Sequence, residues 1–420
     1  VRLDAIDVTT LGATVALNGS QELDVTFPPG LFTAPRHFAL DVANSAVVTS
    51  NVVDFTVLEE IPLLPCSGTL AAPGGVAIDE VHNLAVVTNT GCHQVSVFSL
   101  DPASLDPTNA LATAVKTILT GDTPTGVAVL PRLAYIGQAA GTGVAVVTNN
   151  GSNTVSLIDL VNRAQVLDNS TPPKPIVVNV GASPNGVAID QETNLAVIAN
   201  TGSNTVNTID LTPIAKDPTN PTKTLGTLTP GLVAVDPNPI AVAIDPDRGT
   251  NGLGLAVVTC QPSGSSSTFG TLVGVDIGLA TPVRSISASF LTPTLTGIAF
   301  DPSVSPALFY TVSTQGNSIT AFNPDTGQTR TIKVGINPNA IAYNFQTGTI
   351  LTVNSVGNAG STTNPVSNTI SIVDSQTFAT KATLGIGGSS IFAAAIQTFT
   401  NLAVIADHDN NRVLLFPLPK

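Results

Sequence analysis

The side chains of this sequence that could do chemistry are few and far apart. There are four histidines, His37, His82, His93 and His408. His408 stands between Asp407 and Asp409, so a carboxylate flanks an imidazole that titrates near neutrality. His93 occupies the corresponding turn of an earlier repeat unit. If the fold joins the two turns, His93, His408 and Asp407 would form a cluster suited to acid/base work or metal binding. The competing reading is that these are ordinary surface-turn histidines. A second set is Asn89, Asn149, Asn200 and Asn354, with Cys260, Ser313 and Asp407 at the equivalent places. Oxygens arranged in a ring would suit a hard cation such as Ca²⁺, which takes six to eight of them. The alternative is that each Asn caps its own hairpin, and the Gly-containing turn beside it favours that. Asp79, Asp190, Asp245 and Asp301 also recur, and they read as turn initiators. The chain has no Gly-x-Ser-x-Gly elbow, no P-loop, no dinucleotide fingerprint and no CxxC. Serine-hydrolase, nucleotide and covalent haem chemistry therefore have no motif to rest on.

These positions correspond to one another because the chain repeats. PNGVAIDQETNLAVIANTGSNTVNTID at 184–210 has a close copy from Pro73 and another from Pro124 that ends at Leu160. Looser copies open at Pro239, Pro293, Pro338 and Ser389. Units thus begin near 73, 124, 184, 239, 293, 338 and 389, a spacing in the range of repeat architectures. Each unit holds a short apolar run, a polar turn, a longer run apolar at nearly every position, a Gly/Ser/Asn turn and an alternating run. A weaker run precedes the next unit. Val- and Ile-rich runs bounded by Gly, Asn, Asp and Pro are strands. Four antiparallel strands per unit is the signature of a propeller blade. No run has helical periodicity long enough for a helical solenoid.

The unit resembles the YVTN-type, lactonase-like (NHL-like) β-propeller repeat. The resemblance is carried by Val86-Val87-Thr88-Asn89, Val146-Val147-Thr148-Asn149 and Val197-Ile198-Ala199-Asn200. In this chain Val or Ile replaces the Tyr of the family's name. The resemblance implies a propeller of the kind found in surface and secreted proteins. In some relatives it also implies lactonase- or lyase-type activity at the mouth of the central channel.

The last unit stops after its third strand, RVLLFPLPK, whereas residues 57–64, VLEEIPLL, precede the first unit with the look of a fourth. The N-terminal run is therefore expected to complete the last blade, closing the ring and removing two exposed edges. The expectation is an all-β chain with a seven-bladed β-propeller over 57–420. Closure makes the first and seventh units neighbours, which is what would bring His93 towards His408. Residues 1–56 fall outside the repeat and resemble the C-terminal half of a bacterial Ig-like domain of the IPT/TIG type. A partial Ig-like β-sandwich offers an edge for strand addition from a protein partner or a second copy. The alternative is that it packs on its own propeller. Cys66 and Cys92 flank the junction and are the disulfide candidate, while Cys260 reads as a buried free thiol.

Composition bounds the partners. Of 420 residues 43% are hydrophobic and 10% charged, with mean hydropathy +0.34 and no run long enough for a spanning helix. A net charge of −13 with 15 Lys and Arg leaves no basic stripe for nucleic acid. The absence of Met, even at position 1, points to a longer processed precursor. Secretion or display on a bacterial surface is expected. Two functions follow as expectations. One is a non-enzymatic scaffold or binding propeller in a cell-surface or extracellular assembly, filaments included. The other is a lactonase- or lyase-type enzyme at the channel mouth. Long Thr/Ser/Asn-rich loops at 261–270 and 357–368 would enlarge one face for binding.

Overall fold

The computed structural model describes residues 2–3, 6–18, 22–26, 36–41, 53–57, 59–101, 115–133, 143–214, 228–249, 252, 254–262, 269–278, 281–286, 294–355, 368–386 and 390–419. Among these the chain is all-β, with short 3₁₀ turns and no α-helix. Seven antiparallel sheets follow one another in a seven-bladed β-propeller. Their first strands are Pro73–Asp79, Pro124–Leu130, Pro184–Asp190, Pro239–Asp245, Leu295–Asp301, Pro338–Asn344 and Ile391–Gln397. Each packs beside the first strand of the next blade, and the seventh packs beside the first, so these strands ring a central channel. The unit starts read at Pro293 and Ser389 lie outside the described residues; those two blades begin at Leu295 and Ile391.

The second strands explain why a run apolar at every position is not a helix. Leu84–Asn89, in blade 1, is buried throughout. Ala85 and Val87 pack into the cluster shared with blade 7, while Leu84 and Val86 pack into the one shared with blade 2. Side chains alternate faces with a period of two, and each face of this sheet meets a neighbouring blade. Seven hydrophobic clusters therefore fill the seven blade–blade interfaces rather than one central core.

The last blade is closed by Glu59–Pro62, which pairs antiparallel with Arg412–Leu415. This closing strand is shorter than 57–64, because Val57 ends a strand of the N-terminal region instead. Arg412 donates from Nε to Asp407 Oδ2 (2.7 Å) and from Nη1 to Glu60, tying the closing strand to the second strand of the blade. Cys66 and Cys92 form a disulfide with Cα atoms 5.6 Å apart, fixing the segment after the closing strand to the blade 1 hairpin. The N-terminal region contains a four-stranded sheet, ordered Ile6–Asp7, Arg2–Leu3, Arg36–Asp41, Val53–Val57, and a separate hairpin of Thr14–Asn18 with Glu22–Thr26. In blade 2 the outer strand is split into Ala164–Gln165 and Val177–Asn179, both pairing with Thr154–Asp159, which accounts for the longest unit.

Candidate functional site: the mouth of the central channel

All seven first strands carry a β-bulge at the same place, just after their opening residue. A bulge breaks the ladder locally and re-aims side chains. The second residues of the strands are Gly74, Thr125, Asn185, Ile240, Thr296, Asn339 and Phe392, and all but Asn339 line the cavity at the channel mouth. The third residue is always Gly or Ala, and space dictates this. A Cβ on Gly75 would lie 2.4 Å from the Thr125 carbonyl oxygen, and one on Gly126 would lie 2.1 Å from that of Asn185.

Polar groups freed by the bulge are taken up by the Thr of the recurring Val-Thr-Asn. Thr88 Oγ1 accepts from Gly75 N (2.7 Å) and donates to the Thr125 carbonyl of the next blade (3.0 Å). Thr148 does the same with Gly126 N (2.8 Å) and the Asn185 carbonyl (2.6 Å). Satisfying these buried backbone groups is worth about 1 kcal/mol for each bond.

The Asn that follows has a different task from either reading of the sequence. Asn89 Nδ2 donates to Ser96 Oγ (2.8 Å), Asn149 Nδ2 to Ser156 Oγ (2.9 Å), Asn200 Nδ2 to Asn207 Oδ1 (2.8 Å) and Asn354 Nδ2 to Ser371 Oγ (3.0 Å). All four are buried and bind the third strand of their own blade. Their amide nitrogens thus lock the second strand to the third rather than cap the hairpin through an Asx-turn, and the Oδ1 atoms of Asn89, Asn149 and Asn200 are buried without a hydrogen-bond partner. Asn149 and Asn354 also pack under Gly121 and Gly335, which have no room for a side chain above the amide. Cys260 is buried, Ser313 Oγ accepts from Gly316 N, and Asp407 is held by Asn410 and Arg412. Among the described residues no three His, Cys, Asp or Glu side chains are grouped to hold a metal ion.

Nor does the ring closure unite the histidines. His93, in a left-handed conformation, accepts from the Thr123 N–H at Nδ1 (2.9 Å) and so faces the loop entering blade 2. His408 Nδ1 bonds Asp409 Oδ1 (2.8 Å), and its ring lies 4.7 Å from that of Phe392. Asp407 points away into the closure, so the expected cluster of His93, His408 and Asp407 is not assembled. His82 pairs with Asp79 (2.6 Å) in the turn after the first strand of blade 1, at the far end from the mouth. The His37 side chain and most of the loops at 261–270 and 357–368 lie outside the described residues.

His408 nevertheless lines the channel mouth, for a reason the repeat makes visible. The residue after each second strand normally bonds the opening carbonyl of the next blade. Thr90 donates to the Pro124 carbonyl (2.9 Å), Asn150 to Pro184 (3.2 Å), Thr201 to Pro239 (2.6 Å), Gln261 to Leu295 (3.4 Å) and Thr314 to Pro338 (2.9 Å). In blade 7 that residue is His408, which turns instead to Phe392 and Asp409. The resulting cavity is about 350 Å³, walled by Thr125, Asn185, Ile240, Thr296, Phe392 and His408 with intervening Gly and Ala. Phe392 is 48% exposed there. Among the described residues His408 is the only titratable side chain in the lining.

Phe392, Asn185 and Ile240 were missed by sequence reasoning. The signal was present: after each unit's opening residue one position varies freely while the next stays Gly or Ala.

No protein-family profile and no curated protein sequence matches the chain. Solved structures do match, 1341 chains in all, and a shared fold by itself does not specify a function. One is hydrazine synthase of Kuenenia stuttgartiensis, with TM-score 0.59 and 14% identity over 84% of this chain and 97% of that one. At that identity the likeness is one of fold alone.

Proposed function

We propose that this chain is a non-enzymatic binding propeller of an exported, surface or extracellular assembly. The observation that carries the reading is the lining of the mouth. Among the described residues it is lined by uncharged side chains, one aromatic ring and a single imidazole, and the carboxylate paired with that imidazole, Asp409, is not part of the lining, which suits holding a ligand better than turning one over. The Cys66–Cys92 disulfide supports an oxidising compartment. The N-terminal strands, read as part of an Ig-like domain, are the proposed means of joining protein partners or further copies, filaments included. The kinship with YVTN-type repeats belongs to the same proposal. An acidic chain disfavours nucleic acid, and no helix among the described residues is long and apolar enough to cross a membrane.

One observation favours a second reading, a lactonase- or lyase-type enzyme. Asp409 orients the His408 imidazole through Nδ1 and leaves Nε2 outside that bond, and this is how a general base is held. Two measurements separate the readings: particle size by light scattering and imaging, and turnover of a lactone panel by the native protein. Higher oligomers or fibres without turnover are expected. A clean monomer that hydrolyses lactones and loses the activity in His408→Ala would overturn the proposal.

A further inference from the structure

The binding reading leaves open what the mouth holds, and the lining narrows the answer. A cavity of about 350 Å³ is at the small end of ligand pockets, which run from about 300 to 1,000 Å³, so it takes one ring rather than a chain. Among the described residues no Lys or Arg lines it, which argues against a phosphorylated or carboxylate ligand. No carboxylate is among the described lining residues, and Asp409 beside His408 is engaged by His408 Nδ1 and by Ser390 Oγ (2.6 Å), which argues against an organic cation. A pure hydrocarbon would desolvate the Asn185 amide without replacing its hydrogen bonds. What remains is a neutral molecule with an apolar face and several hydroxyls.

The departures from seven-fold repetition agree. The second position of the first strand is small or polar in five blades, Ile240 in blade 4 and Phe392 in blade 7. Phe392 and His408 lie on the same blade and touch, and there the blade-to-blade bond made by five other blades is given up. A local rule broken at two adjacent positions marks a site built for something other than stability. We infer that the channel mouth is a binding site for a neutral sugar, one pyranose ring seated on Phe392 with its hydroxyls shared between His408 and Asn185. The C–H face of a pyranose is apolar and slightly positive, matching the negative face of an aromatic ring. Imidazole Nε2 and the amide together supply acceptor and donor capacity for hydroxyl groups. This rests on the proposal that the propeller binds rather than transforms its ligand.

The test is saturation-transfer NMR on the full chain with glucose, galactose, mannose and N-acetylglucosamine, each at about 20 mM. At least one sugar should receive saturation, strongest on the C–H protons of one face, with a dissociation constant of about 1–10 mM. Phe392→Ala should weaken it about tenfold or more, and His408→Ala and Asn185→Ala several-fold. Phe392 is half-exposed, so its removal should leave the melting temperature near wild type. Phe399→Ala, on the opposite face, should change nothing. No transfer to any of the four, or transfer unaltered in Phe392→Ala, overturns the sugar site. A lactone screen run alongside keeps the two ideas apart. Absence of sugar binding without turnover removes only the sugar, whereas turnover removes the binding reading beneath it.

Discussion

Replacing Gly126 by Ala tests the inner ring directly. In an ordinary strand this change helps by about 0.4–1 kcal/mol, because it restricts the unfolded chain. Here the added methyl would lie 2.1 Å from the Asn185 carbonyl oxygen and 2.9 Å from Thr148 Oγ1. The obstacle is the backbone of the adjacent blade, which is itself held by the Thr148 hydroxyl. The first strands of blades 2 and 3 must separate by roughly an ångström, and overpacking of that kind costs about 1–3 kcal/mol. Separation also stretches the Thr148 bond, worth about 1 kcal/mol. After the unfolded-state gain the net loss should be about 2 kcal/mol. Gly297 holds the same position in blade 5, but a methyl there meets Val312 Cγ2 at 3.2 Å and Ala340 Cα at 3.3 Å. Gly297→Ala should therefore lie within about 0.5 kcal/mol of wild type. Urea unfolding followed by far-UV circular dichroism would compare the midpoints. Equal midpoints for Gly126→Ala and wild type, or an equal fall for Gly297→Ala, would refute the geometric reasoning.

Three further outcomes are expected. Cys92→Ser opens a crosslink between residues 26 apart in sequence and should cost about 3.5 kcal/mol by chain entropy, seen as a lower melting temperature that reductant reproduces in the wild type. Arg412→Met leaves the fully buried Asp407 carboxylate without its cation and should cost about 3–5 kcal/mol, with most of the loss recovered on adding Asp407→Asn. The Thr377 N–H and then Lys381 hold the Asp374 carboxyl well below its usual range. Its stabilising effect is therefore present above the unfolded value of about 4 and is lost as pH falls through the lowered folded value. The melting-temperature gap between wild type and Asp374→Asn should be widest near neutrality and close in acid.

The fold was legible because its determinants are local and repeated. Alternation along TVSLID, the wholly apolar VAVVTN and the turns between them fix blade strands whatever the distant contacts. The unpaired third strand at 412–417 demanded a partner, and Glu59–Pro62 supplies it. The role of Val-Thr-Asn was not legible, since it depends on contacts across blades and under loops. Nothing in a linear reading says that Thr148 reaches the Asn185 carbonyl, or that Asn149 sits beneath Gly121. The pairing of Cys66 with Cys92 was within reach, because closure already put both at one seam. The His93, His408 and Asp407 cluster failed for a reason of direction. Neighbouring blades bring two hairpins near each other, but a residue in the left-handed conformation such as His93 turns its side chain towards the next blade rather than the previous one.

In a repeat fold the information about function lies in what departs from the repeat. Positions that recur here, the Gly or Ala after the bulge, the relay Thr and the amide N–H of the locking Asn, are each accounted for by packing or by a buried hydrogen bond. They would be needed in a propeller that bound nothing. His408 breaks the pattern where a donor to the next blade is expected, and Phe392 breaks it where small or polar residues are common. The first gives up a blade-to-blade bond that five blades make, and the second adds a half-exposed ring to the channel mouth. They occur in the blade closed by the N-terminal strand, where Arg412, Glu60 and Asp407 tie three of its strands together and the disulfide fixes the segment that follows. Those contacts hold the blade together on its outer strands, while Phe392 and His408 shape its inner edge at the channel mouth.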